Sequence, residues 1–164
     1  MKSVMKENSV KISKLGVYGA PIACVSLAFD GYVVYAMGAF LHRVSLQSHQ
    51  EHDTMLLSGN IHGIRRESDL AIVFGGRRIH FVLGAHADAL MRHLDVKIVQ
   101  QSTGLLCLND WIWDCRCRKS PTVPNQFRLW VGMAHNQVEV LDLTVHTEET
   151  AVDVVRIAVC RGGM

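Results

Sequence analysis

Nine histidines, five cysteines, paired arginines and closely spaced tryptophans are the residues of this 164-residue chain with chemistry to offer. His49 and His52, flanked by Glu51 and Asp53, form the tightest group. Three residues apart does not bring two ligands together on a strand, because same-face neighbours are two apart. No third ligand stands at a recognisable zinc spacing, so the group reads as a solvated loop. Cys24, Cys107, Cys115, Cys117 and Cys160 are odd in number and contain no C-x-x-C pair. Disulfide frameworks belong mainly to small secreted domains, and reduced thiols are expected here. No cysteine sits in a nucleophile signature, and neither a Walker loop nor a Rossmann glycine fingerprint is present. The expectation is a protein that is not an enzyme and holds no metal or cofactor.

The basic pairs and the tryptophans point to binding. Arg65-Arg66 and Arg77-Arg78 could contact RNA phosphates, with Arg77-Arg78 the better placed, at a hairpin tip; solvated turn charges are the alternative. Successive antiparallel turns fall at opposite ends of the strands, so the two pairs should not merge into one patch. Trp111 and Trp113 share a strand face by their two-residue spacing. They could stack on a nucleotide, grip a partner, or fill the contact between neighbouring units. Cys115 and Cys117 share a face in the same way and read as packing, and Asp114 is expected to pair with Arg116 or a turn amide. His42, His80 and Glu139 occupy equivalent places in three similar segments. Their repetition predicts an exposed strand position facing away from the apolar residues around it.

Those three segments are the elements that must position everything else. Residues 32–44 (YVVYAMGAFLHRV), 70–82 (LAIVFGGRRIHFV) and 129–141 (LWVGMAHNQVEVL) each read as two short apolar strands around a tight turn, with Gly75-Gly76 turning the second. A hairpin repeated at tens of residues signals stacked blades or solenoid units. The first fifteen residues, with four lysines, predict a mobile lead; three units follow over about 16–60, 61–108 and 109–160. In the first, residues 21–29 form an apolar strand leading through Asp30-Gly31, and polar residues 45–53 close it. In the second, residues 61–65 open the unit, 85–94 read as a short helix or irregular connection, and 95–100 as a strand. In the third, residues 111–118 alternate as a strand, the two prolines of 119–126 force a loop, and 152–159 form a last apolar run. Four antiparallel strands in a unit of about 40 to 45 residues is what a propeller blade requires.

The totals set limits. Seventeen Lys and Arg against fifteen Asp and Glu leave a formal charge of +2, too little to announce a nucleic-acid binder except through local patches. Residues 16–41 carry Asp30 as their only charge and could imitate a membrane span. Asp30-Gly31 is instead a hairpin signal near the middle of the run, where a bilayer penalises Asp most, and two buried strands in a cytoplasmic protein are expected.

The runs HGI at 62–64, AIVFGGRRIHFV at 71–82, NDWIWDCR at 109–116 and VGMAHNQVEVLD at 131–142 resemble the amino-terminal WD40 blades of the WD repeat-containing protein 6 family. The resemblance spans about residues 16–160. It implies an all-β fold of WD40-type β-propeller blades, about three four-stranded units of an incomplete propeller, since a closed ring needs about four to eight blades. It also implies a non-catalytic scaffold that partners a tRNA 2′-O-ribose methyltransferase and positions tRNA for methylation of the wobble nucleotide. S-adenosylmethionine would belong to the partner, and neither DNA nor membrane is involved. The alternatives are a WD40 interaction module without an RNA role, or a truncated product without independent function.

Overall fold

The computed structural model describes residues 22–27, 31–84, 90–98, 101–102 and 106–162, and every regular element among them is a β-strand. β1 (Ile22–Leu27), β2 (Tyr32–Met37), β3 (Phe40–Ser45) and β4 (Glu51–Leu56) make a first antiparallel sheet in that order. β5 (Gly63–Glu67), β6 (Leu70–Gly75) and β7 (Arg78–Leu83) begin a second, and β8 (Arg92–His93) pairs with one end of β7. β9 (Asp95–Ile98) and β10 (Gln101–Ser102) leave it, whereas β11 (Leu106–Cys107) returns to the other end of β7. β12 (Ile112–Lys119), β13 (Gln126–Met133), β14 (Gln137–His146) and β15 (Ala151–Arg161) form the third sheet, extended by β9 and β10 in the order β10-β9-β15-β14-β13-β12. None of the sheets closes into a barrel.

The three expected hairpins are the central pairs β2-β3, β6-β7 and β13-β14. Each turns through a residue in the left-handed region: Gly38 (φ 58°), Gly76 (φ 59°) and Asn136 (φ 52°). Glycine takes that conformation without a Cβ clash, and asparagine is among the few other residues that adopt it readily. The second turn is therefore Gly76-Arg77, with Gly75 ending β6. Gly75 is needed for another reason, because a Cβ there would lie 1.8 Å from the Asn60 carbonyl oxygen.

That close approach belongs to a repeated crossing. After the first sheet the chain returns along its central turn, with Leu57 N donating to Ala39 O at 2.9 Å and Ile61 N to Gly38 O at 2.8 Å. After the second, Leu108 N donates to Arg77 O and Ile112 N to Gly76 O, both at 2.8 Å. Gly162 N donates to Asn136 O in the third turn, also at 2.8 Å. Each sheet thus hands the chain onward through the same backbone contact.

The second sheet lies between the other two. Leu70, Ile72, Phe74, Ile79, Phe81 and Leu83 meet Leu129, Val131, Leu141 and Leu143 of the third sheet, whereas Ala71, Val73 and Val82 meet Val34, Ala36 and Leu41 of the first. Burial on both faces explains why β6 reads LAIVF without a polar interruption. β13 and β14 have one covered face and alternate accordingly.

The structure corrects the expectation for His42, His80 and Glu139, which are buried, at 5%, 6% and 2% exposure. A polar residue among apolar neighbours reads as facing solvent, but the neighbouring structure covers it and sets a polar group beside it. His42 Nδ1 lies 3.1 Å from Thr54 Oγ1, His80 Nδ1 lies 3.0 Å from His93 Nε2, and Glu139 pairs with Arg156. Residues 95–98 form the expected strand but in the third sheet, parallel to β15, because β8 and β11 occupy the free edge of β7. The proline loop occurs as expected between β12 and β13. The lead at 1–15, Asp30 and residues 85–89 of the possible helix at 85–94 lie outside the described residues, and 90–94 hold the short strand β8 and irregular chain. Among the described residues no helix is long and apolar enough to cross a membrane.

Candidate functional site

β1, β5 and β12 are the edge strands of their sheets, and β5 lies against β1 on one side and β12 on the other. The two described fully, β5 (GIRRE) and β12 (IWDCRCRK), carry Arg65, Arg66, Arg116, Arg118 and Lys119 against Glu67 and Asp114. This excess of three positive charges in two short strands is larger than the formal +2 of the whole chain. These two strands are therefore locally basic, whereas the chain as a whole is nearly neutral. Charged edge strands also discourage edge-to-edge aggregation, a role that needs no ligand.

Two contacts across the sheets tie the strands together. Arg65 Nη2 is 2.6 Å from Asp114 Oδ1, both groups nearly half exposed, and Lys119 N donates to Glu67 Oε1 at 3.0 Å. Asp114 thus pairs with Arg65 in place of the expected Arg116 or turn amide, and its Oδ1 accepts from the amide of Cys115 within β12. Arg66 Nε donates to Ser68 O beside the following turn. Arg116 and Arg118 stand opposite Trp130 and Arg128 in the register, so they project on the face away from buried Cys115.

Trp111 and Trp113 do not fill a contact between sheets; they are 54% and 75% exposed. The reason is a β-bulge. Ile112 pairs with Met133 and Asp114 with Gly132, leaving Trp113 as the extra residue and handing the inward positions to Ile112 and Cys115. Trp111 precedes the strand and stacks on His62, with ring centroids 6.1 Å apart and planes 20° apart. The Gly76 amide faces His62 Nδ1 at 3.5 Å.

The predicted residues other than Arg78 follow one another along these strands, with His62 beside them. His62, Trp111 and Arg77 share one end, joined through the Ile112–Gly76 and Leu108–Arg77 backbone bonds. Arg78 turns aside, donating from Nη1 to Ser58 O at 2.6 Å. Trp113 and Arg65 occupy the middle, and Arg66 lies toward the turn at the opposite end, as expected for the two arginine pairs. Asp110 braces the first end: its Oδ2 is 2.7 Å from His135 Nδ1 and accepts from the His135 amide, while Oδ1 accepts from the Trp111 amide. The His135 and Trp111 bonds hold the Asp110 carboxyl below its usual range.

A second feature lies on the outer face of the third sheet. Trp130, Phe127, Val155 and Ile157, with Arg118 and the Arg128–Asp142 pair, line a groove of ≈ 520 Å³. Val155 and Ile157 are 42% and 50% exposed there. Burial pushes the Cys115 thiol up, and burial followed by Glu67 pushes Cys117 up to about 12, so both stay protonated. Among the described residues no group of three or more His, Cys, Asp or Glu could hold a metal ion.

Arg116, Arg118, Lys119 and His62 were not singled out from sequence. The alternation in WIWDCRCRK was the available signal, since its polar positions are all cationic after Asp114. Comparison of the chain with models of known protein families gave no match, and comparison with curated proteins gave none either.

Proposed function

We propose that the protein is a non-catalytic scaffold that binds RNA along β5 and β12, and that its three sheets are successive WD40-type blades. The observation that carries this reading is the concentration of positive charge on two adjoining edge strands, with two exposed tryptophans at the start of β12. Basic residues position phosphates, and aromatic faces take bases whatever their sequence. The recurring passage of the chain across each central turn supports the blade reading.

Taken with the resemblance of residues 62–64, 71–82, 109–116 and 131–142, the reading becomes specific. The scaffold holds tRNA for a cytoplasmic partner that methylates the 2′-hydroxyl of the wobble nucleotide, and the partner brings S-adenosylmethionine. Affinity capture with the cognate methyltransferase, with and without tRNA, tests it. A complex that raises methyl transfer to tRNA is expected. Absence of both complex and stimulation contradicts the scaffold role. The exposed Val155, Ile157 and Val159 favour a second reading, a protein-interaction module without RNA; capture of the methyltransferase by a protein that binds no RNA selects it.

A further inference from the structure

The aromatic groups along the β5–β12 line have an arrangement that charge alone does not explain. Among the described residues one ring, that of His62, stacks on Trp111, and more than half of the Trp111 surface stays open. The Gly76 amide faces the His62 Nδ1 at 3.5 Å, a long and weak contact. The Asp110 carboxylate fixes the backbone at Trp111 by accepting from the Trp111 amide at 2.8 Å. Trp113 is put outside by a bulge, a device that re-aims a side chain at the cost of one ladder position. Such large apolar surfaces lower stability when left in water, and here the local structure holds them out.

We propose that Trp111 and Trp113 are stacking sites for unpaired nucleobases, with Arg116, Arg118 and Lys119 receiving the phosphates of the same single strand. This rests on the RNA reading above and names the form of RNA taken. The charge sign of the surrounding strands selects a polyanion over an apolar protein surface, and the open ring faces select unpaired bases over duplex, whose bases are already stacked. Stacking on an open indole tolerates any base, so sequence preference is weak.

Trp111, Trp113 and Trp130 are the chain's three tryptophans. Trp130→Phe therefore leaves a protein whose indole fluorescence reports only the two proposed sites. Titrate it with an unstructured single-stranded RNA of about a dozen nucleotides, a length within the range that such platforms bind, and with a duplex of equal length. Quenching and tighter binding by the single strand are expected. Trp113→Leu and Trp111→Leu, which keep apolar bulk without a ring, should each weaken that binding roughly five- to hundred-fold, and Trp113→Phe should recover much of it. Circular dichroism checks that each variant keeps its strands, and the Phe variant carries the test should a Leu variant unfold. Equal affinity for duplex, or single-strand binding unchanged in both Leu variants, overturns the proposal. So does loss of methyltransferase capture in those variants with RNA affinity intact, which assigns the rings to a protein partner. If single strands bind as expected but the methyltransferase is never captured, the scaffold reading fails and the stacking sites stand.

Discussion

Removing charge and reading the salt dependence isolates the basic strand from every other contribution to binding. Arg116, Arg118 and Lys119 are exposed, and none of them makes an ion pair among the described residues, whereas Arg65 is held by Asp114. Three phosphates neutralised on a single strand give a slope of log affinity against log salt of about −2, since each contributes about −0.7. Affinity should then fall about eighteen-fold between 50 and 200 mM monovalent salt, by the same relation. Arg116→Gln with Arg118→Gln removes two of the three contacts, so the slope should shrink to about −0.7 and the fall to about threefold. Fluorescence anisotropy of a labelled single-stranded RNA across that salt range gives both slopes. Because the two side chains project from an edge strand into solvent, the variant should unfold at the wild-type temperature. An unchanged slope would refute the reasoning, since it would place the phosphates elsewhere on the molecule.

Other predictions concern the frame that holds these residues. Gly75→Ala sets a Cβ 1.8 Å from the Asn60 carbonyl and should lower stability by about 3 kcal/mol or more, whereas Gly76→Ala meets open space and loses only the about 1–2 kcal/mol of a left-handed residue. Urea unfolding of the two variants checks that order. Burial, then the neighbouring His93 and Arg78, lowers His80 from 6.5 to about 4. The unfolded chain therefore binds the proton first as pH falls, and this part of the stability is complete above pH 6.5 and lost on descending toward 4. His80→Gln should flatten the melting temperature over that window. Asp110 has the opposite chemistry with the same sign: a carboxyl held low by His135 contributes above its ordinary range, and the contribution goes as pH falls through the lowered value. Asp110→Asn should melt earlier at neutral pH and show a weaker acid limb.

The hairpins were legible because each level of the sequence agreed on them. Apolar strands flank Gly38, Gly76 and Asn136, and the chain has few ways to reverse at such residues. The middle position of the second sheet was also written in LAIVF, a run that only burial on two faces accommodates. What was illegible depended on contacts between distant segments. His42, His80 and Glu139 looked solvent-facing because sequence shows their polarity and not the Thr54, His93 and Arg156 that answer it. The bulge at Trp113 leaves the alternation of WIWDCRCR intact on paper while turning the tryptophan out, so the shared inner face of Trp113 and Cys115 never forms. The Arg65–Asp114 pair joins residues 49 positions apart on different sheets, as no local pattern announces. The parallel pairing of β9 with β15 arises for the same reason, from an edge of β7 already occupied.

The central claim is that RNA lies along β5 and β12. Photo-crosslinking of tRNA carrying a photoreactive uridine, followed by mass spectrometry of the attached peptides, tests it most directly. The account predicts adducts within residues 62–67 and 111–119, strongest at Trp111 and Trp113 and lost with excess unlabelled single strand. Adducts confined to β14 and β15, with none in β5 or β12, or no adduct at concentrations where tRNA is bound, would contradict it.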